Sequence, residues 1–206
     1  MAGLVWNQLY SMKKVIKLYL VAIAVYLLLG QINGNVAAFA GVFLLLASML
    51  VVNSFSVIEK SNWDLYVNTM PVSKGQIVGV HYLLGLAAVC AVFVFNHLVI
   101  LADAQIKAYA PQQELLMNYG IFVAAVFFLL IMIPVLVEFG TERARIIMFL
   151  IYVVVFITGY GISEMQVSMP DRRQLYTLAW FCPVLLLILL LISYAVSLHF
   201  YKKKDF

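Results

Sequence analysis

Few residues in this chain have the types that break covalent bonds, and their spacing does not suit that chemistry. Phe93-x-x-x-His97 matches one element of an intramembrane protease pattern. That chemistry also needs an adjacent pair of glutamates followed by Arg, and Glu138, Glu142 and Glu164 each stand without an acidic neighbour. The H-E-x-x-H arrangement, which puts two zinc ligands and a general base on one helix face, is absent, as are the G-x-S-G of a serine intramembrane protease and the G-x-x-x-x-G-K-[ST] phosphate loop. Cys90 and Cys182 both fall in apolar runs, where a thiol acts as a small apolar group. The chemistry left to the chain is hydrogen bonding. Asn53, His81, Asn96, His97, Thr158 and Ser193 are uncharged polar groups in or near apolar runs. Such groups usually bond a neighbouring helix at about 1 kcal/mol or less. Asn96 and His97 have a second reading, as residues lining a translocation path, because ionisable groups inside a membrane are candidates for function. No run carries a buried Asp, Glu, Lys or Arg, which argues against a proton-driven carrier with a carboxylate relay.

The elements that must position these groups are set by composition. Of 206 residues, 66% are hydrophobic and 11% charged, and the mean hydropathy is +1.05. A soluble domain is roughly 45–50% apolar and about 25% charged, so this apolar surface exceeds what a soluble core absorbs. Charged residues are missing from 18–58, 75–102, 115–137, 146–163 and 175–201. A span needs about 20 apolar residues, so 18–58 must cross twice, folding back at the turn formers Gly30 to Asn35. The sequence therefore predicts an all-α polytopic membrane protein with one transmembrane domain over 1–206. Its six transmembrane helices fall at about 15–30, 36–58, 74–101, 117–138, 146–162 and 176–200. Pro134 and Pro183 are expected to kink the fourth and sixth. No cleavage site follows the first run, which is therefore expected to stay attached.

Ten basic residues fall on one side of this topology: Lys13, Lys14, Lys17, Lys60, Lys74, Arg143, Arg145, Lys202, Lys203 and Lys204. Lys107, Arg172 and Arg173 fall on the other. Short loops rich in Lys and Arg stay cytoplasmic, so both termini are expected in the cytoplasm. The net charge of +4 thus reports orientation. No loop joins a dense basic face to stacking aromatics, so nucleic acid is not an expected partner.

Residues 3–14 have an amphipathic pattern, with Val5, Leu9, Met12 and Ile16 on one face and Asn7, Ser11 and Lys14 on the other. With Trp6 and Tyr10 suited to the headgroup layer, the segment reads as an interfacial helix on the membrane lipid, or else as an extension of the first span. The outer segments 103–118, expected to hold a short helix interrupted at Pro111, and 164–174 could gate an exit.

The loop after the second span is the most informative. Ser61 with Asp64, and Ser73 with Gln76, each fit a capping box, and Pro71 disfavours helix at Met70. A short transverse helix from about Asn62 to Thr69 is therefore expected before a third span that opens near Ser73. Trp63, Tyr66, Val67 and Met70 form an apolar stripe on it, which packs either on lipid and its own bundle or in another protein's groove.

The lead-in helix, the six spans and the loop residues Glu59, Trp63-Asp64-Leu65-Tyr66, Met70-Pro71-Val72-Ser73-Lys74 and Ile77-Val78 resemble the small ABC-2-type permease subunits of bacterial ABC exporters. The resemblance covers essentially the whole chain. Within the family the chain is most similar to permeases of Gram-positive bacteria that export antimicrobial or amphipathic peptides, such as the phenol-soluble modulin exporter. The resemblance implies a non-catalytic subunit in the bacterial cell membrane, driven by a separately encoded ATPase that holds the ATP and Mg. It makes the 61–71 loop the coupling helix, with Glu59, Trp63, Asp64, Tyr66, Met70 and Lys74 as ATPase contacts. It also implies a second cytoplasmic contact at Glu142, Arg143 and Arg145, where the mixed charge alternatively reads as a solvated turn. A pathway requires a second permease copy, identical or paralogous, and Ala37, Gly41, Gly79, Gly85, Ala87 and Ala91 are candidates for close helix approach. A non-transporting immunity or sensor subunit would share the spans and the charge bias.

Overall fold

The computed structural model describes residues 49–61, 63–67, 69, 71–164 and 172–204, together with Gly3, Val5, Trp6, Tyr10, Lys13, Lys17, Leu18, Val21, Ala22 and Val25. For residues 64, 65, 152, 154–164 and 172–180 it describes the backbone alone. The expected span at 15–30 lies largely outside the described residues, and the hairpin after it, residues 36–48 of the expected span at 36–58, and Met70 lie outside them.

Hydrocarbon offers no partner to a peptide N–H or C=O, so long apolar stretches must satisfy their backbone internally. The described residues do so as helices. Residues 49–60 form α1, Trp63–Val67 α2, Lys74–Lys107 α3, Gln112–Glu164 α4 and Arg172–Lys203 α5. Three stretches are long and apolar enough to cross a membrane: Lys74–Lys107, Gln112–Ile151 and Phe181–Lys203. The ten described positions from Gly3 to Val25 are all helical, with Trp6 and Tyr10 exposed and the Lys13 Nζ 5.9 Å from the Tyr10 ring centre.

The capping box at the start of α3 forms as its residues predict. The Ser73 hydroxyl accepts from the Gln76 N–H at 3.3 Å, and the Ser73 N–H donates to Gln76 Oε1 at 3.2 Å. Ser61 donates its hydroxyl back to the Ile58 carbonyl at 3.0 Å, closing α1. The Asp64 side chain lies outside the described residues.

Two connections depart from expectation. The stretch 103–118 holds no separate short helix: α3 runs on to Lys107 and α4 begins at Gln112, leaving a four-residue connection. Ala108 makes the turn in the left-handed region at φ 51°, donating its N–H to the Ala104 carbonyl. Between the fourth and fifth expected spans there is no loop of several residues. Helix continues to Phe139, breaks at Gly140 (φ 76°, ψ 175°) and resumes at Thr141. The departure from helical geometry in α4 is thus at Gly140, while Pro134 stays within the helix.

Between lipid-embedded helices the driving forces are close packing and hydrogen bonds, because lipid is as apolar as Leu. Val89, Leu129, Met132, Ile133 and Leu136 fill the centre, where α3, α4 and α5 meet, and Val51 and Val52 of α1 close it. At Gly85 three helices pack closely. A Cβ there would lie 2.8 Å from both Val51 and Leu129. Tyr82 ties α3 to α5, its hydroxyl 2.6 Å from Ser193 Oγ and 2.8 Å from Ser197 Oγ, while Ser193 donates on to the Leu130 carbonyl of α4. Gly79 and Gly85, candidates for contact between copies, face residues of the same chain: Tyr194 at Gly79, and Val51 and Leu129 at Gly85. The outer face of α5, including Phe181, Val184, Leu187 and Leu191, is exposed, as a lipid-contacting face would be.

Candidate functional site

At the end of the bundle carrying Lys60, Lys74 and Lys202 to Lys204, α2 sits on the core as a lever on a mount. Val67 is fully buried and Trp63 packs partly against the core cluster. Tyr66 points away at 58% exposure, its ring centre 5.4 Å from that of Trp63. The expected apolar stripe therefore divides: Val67 and Trp63 anchor the helix, and Tyr66 is presented outward. Thr69 closes the helix by donating its N–H and its hydroxyl to the Tyr66 carbonyl, at 3.1 and 2.7 Å. Lys74 donates to the Lys202 carbonyl at 3.5 Å, which ties the start of α3 to the end of α5.

Glu59 and the Gly140 break meet directly. The Glu59 carboxylate accepts from the Thr141 N–H at 2.9 Å and also from the Thr141 hydroxyl. One turn along, Arg145 donates to the Ser56 hydroxyl at 3.3 Å. The two Thr141 hydrogen bonds, with Lys204 and Arg145 nearby, hold the Glu59 carboxyl below the usual glutamate range, against a smaller opposing effect of burial. Glu142 and Arg143 are exposed beside this seam. A cavity of about 70 Å³ lies beneath it, lined by Phe55, His81, Gly140, Tyr201 and Lys204 among others. The Phe55 and His81 rings stack at 4.0 Å.

At the far end of α3 and α4 lies a second polar group. Lys107 pairs with Asp103 at 2.9 Å, and the Tyr109 hydroxyl donates to Glu114 and, at 3.4 Å, to Asp103. Burial, then the hydrogen bond to Glu114, raises the Tyr109 pKa. Asn96 and Asn118 are almost wholly buried, and among the described residues neither the oxygen nor the nitrogen of either amide has a partner, nor do His97 Nδ1 and Asp103 Oδ1. His97 lies 5.8 Å from Phe93 and Phe93 4.5 Å from Phe122, between ring centres, so this stretch of α3 faces the start of α4. Among the described residues no group of three His, Cys, Asp or Glu is placed to hold a metal.

The structure thus brings Glu59 together with the 138–145 segment, and keeps Asn96 and His97 on the separate α3–α4 face. Sequence reasoning gave no role to Gly140, Thr141 or Asn118. A Gly-Thr pair between two apolar runs, read as a helix stop followed by a start, is the signal that finds the first two.

No curated protein and no solved structure matches the chain. A family model described as ABC-2 family transporter protein matches residues 3–202, nearly its whole length. With three long apolar helices capable of spanning a membrane among the described residues, the chain belongs to the ABC-2 transporter family, as a membrane permease subunit of an ABC transporter.

Proposed function

We propose that this chain is the permease of an ATP-driven exporter in the bacterial cell membrane, moving amphipathic or antimicrobial peptides outward, with both termini in the cytoplasm. A separately encoded ATPase carries the ATP and Mg. Its closure is coupled to the bundle through the 61–71 loop. The observation that carries this reading is the form of α2: a helix of five residues, anchored by a fully buried Val67 and a partly buried Trp63, that holds Tyr66 out from the bundle. Exposed aromatics on a rigid mount are what a partner groove binds most strongly. Asp64, Met70, Glu142, Arg143 and Arg145 complete the proposed contact surface.

A second copy of the permease completes the pathway. The outward face of α3, where Ala87 and Ala91 lie among exposed Leu83, Val94 and Leu98, lets a second helix approach closely. Asn96 and His97, with Asn118, line the proposed route. The unpartnered amides support this, since a passing peptide offers them donors and acceptors.

The test is a pull-down of the ATPase. Trp63→Ala with Tyr66→Ala is expected to abolish association while membrane insertion is retained. Tyr66→Ala alone, which leaves the anchor intact, is expected to weaken it by about 1 kcal/mol or more, as truncation of an interface aromatic does. Unchanged ATPase recovery with both variants defeats the assignment.

A further inference from the structure

A helix that begins at Thr141 leaves its first backbone N–H groups without an intrahelical partner. Ordinarily the residue just before the helix supplies the capping oxygen. Gly140 has no side chain to do so, and the cap comes instead from another helix. Glu59, at the end of α1, accepts both the N–H and the hydroxyl of Thr141. Gly140 suits the approach, because its φ of 76° strains any residue with a Cβ, and a Cβ there would sit 3.0 Å from Glu59 Oε1 and push the carboxylate back by a few tenths of an ångström. A carboxylate at a helix N-terminus is also the charge the helix dipole favours. Ser56 and Arg145 repeat the contact one turn away, and Thr141 and Ala144 are buried along the seam.

Glu59 stands only four positions before Trp63 in the chain. The carboxylate is turned into the bundle, although its position beside the lever is where a contact to an outside partner is expected.

We propose that Glu59 is a positioning residue: by capping the helix that opens at Thr141, it joins the Trp63–Val67 lever to that helix, so that the two cytoplasmic segments move as one body. The inference rests on the reading of α2 as the ATPase contact for its consequence, and on the Glu59–Thr141 geometry for its substance. A push on α2 then reaches the helix after Gly140 through one carboxylate, without passing through the length of α3.

The two parts are tested separately. In the full chain with Cys90→Ala and Cys182→Ala, nitroxide labels are placed at Thr69→Cys on the lever side and at Ile146→Cys beyond the break, and their distance is measured by pulsed electron resonance in nanodiscs. The expected result is one narrow distance distribution, broadened in Glu59→Ala and in Thr141→Val, less so in Glu59→Gln, and unaltered in Tyr66→Ala. Thr141→Val keeps the backbone N–H and the packing volume, so it reports on the seam even where Glu59→Ala inserts poorly. A wild-type distribution as broad as that of the two variants overturns the joint, whatever the ATPase does.

A second label pair, Ile146→Cys with Ile106→Cys at the far end of α3, is then followed in the complex with the ATPase on adding ATP and vanadate. The distance is expected to shift in wild type and to stay fixed in Thr141→Val, with ATPase pull-down unchanged between them. An equal shift in both overturns transmission through Glu59. Failure of the wild-type chain to capture the ATPase at all tells instead against α2 as the contact, and leaves the first label pair to judge the joint.

Discussion

Gly140 holds backbone dihedrals of φ 76° and ψ 175°, in a region that residues with a Cβ enter only at a cost of about 1–3 kcal/mol. Gly140→Ala adds to that cost a methyl 3.0 Å from the Glu59 carboxylate, so it should both strain the break and push the cap away. The purified chain is expected to lose about 1–3 kcal/mol of stability in detergent, read as a lowered midpoint of unfolding. A midpoint equal to wild type would mean that the break does not need this conformation. Charge state matters at the same position. The native carboxyl of Glu59 titrates below its ordinary value of 4.5, so ionised Glu59 stabilises the seam fully above that value. The stabilisation is lost as pH falls through 4.5 toward the native pKa. The label pair across the seam should therefore broaden on acidification in wild type and respond less in Glu59→Ala, which lacks the capping carboxylate.

At the scale of elements, what the residues predicted well was local. The capping box of Ser73 and Gln76 forms as drawn because four consecutive residues contain all of its donors and acceptors. The seam between α1 and the helix after Gly140 was not legible, since it joins residues 82 positions apart. The charges around 138–145 also hid it: they read as a solvated turn, yet the chain needs only one non-helical residue there. The clamp between α3, α4 and α5 was half legible. Ser193 was expected to bond a neighbouring helix, and it does, but its partners Tyr82 and the Leu130 carbonyl could be found only from the packing. Tyr82→Phe keeps the ring and its edge-on contact with Tyr194 at 5.7 Å while removing both hydroxyl contacts. Interhelical hydrogen bonds in membranes average about 0.6 kcal/mol and reach about 1.7. The expected loss is therefore about 1–2 kcal/mol, visible in steric-trapping or denaturant unfolding. A loss near zero would show that the serines rebond within α5, where serine hydroxyls can reach back to preceding carbonyls.

For the molecule as a whole, the two ends of the bundle differ in how their polar groups are satisfied. The end bearing α2 is tightly bonded: Glu59, Thr141, Ser56 and Arg145 have partners across the seam. On α3 and α4, by contrast, the amides of Asn96 and Asn118 are buried without a partner among the described residues. A transport bundle needs both properties, a stiff end to receive force and a region whose resting state is not its best-bonded one. The sequence marked Asn96 because a carboxamide in an apolar run is conspicuous, but it could not say that the amide goes unbonded, which depends on what the neighbouring helices offer. Leu closely matches Asn in shape and has no polar atoms to desolvate. Where an unpartnered buried group is replaced by an apolar one, the desolvation cost of about 1–3 kcal/mol per group is removed. Asn96→Leu with Asn118→Leu should therefore raise the unfolding midpoint of the isolated chain, which is unusual for a double substitution in a packed core. If these amides serve a passing peptide, the same substitutions should slow ATP-driven uptake of a fluorescent amphipathic peptide into inside-out vesicles holding the permease and its ATPase. A lowered midpoint would show that the amides are bonded in the native protein. A raised midpoint with uptake unchanged would remove Asn96 and Asn118 from the route and leave them as a purely structural cost, which selection for stability alone would have removed.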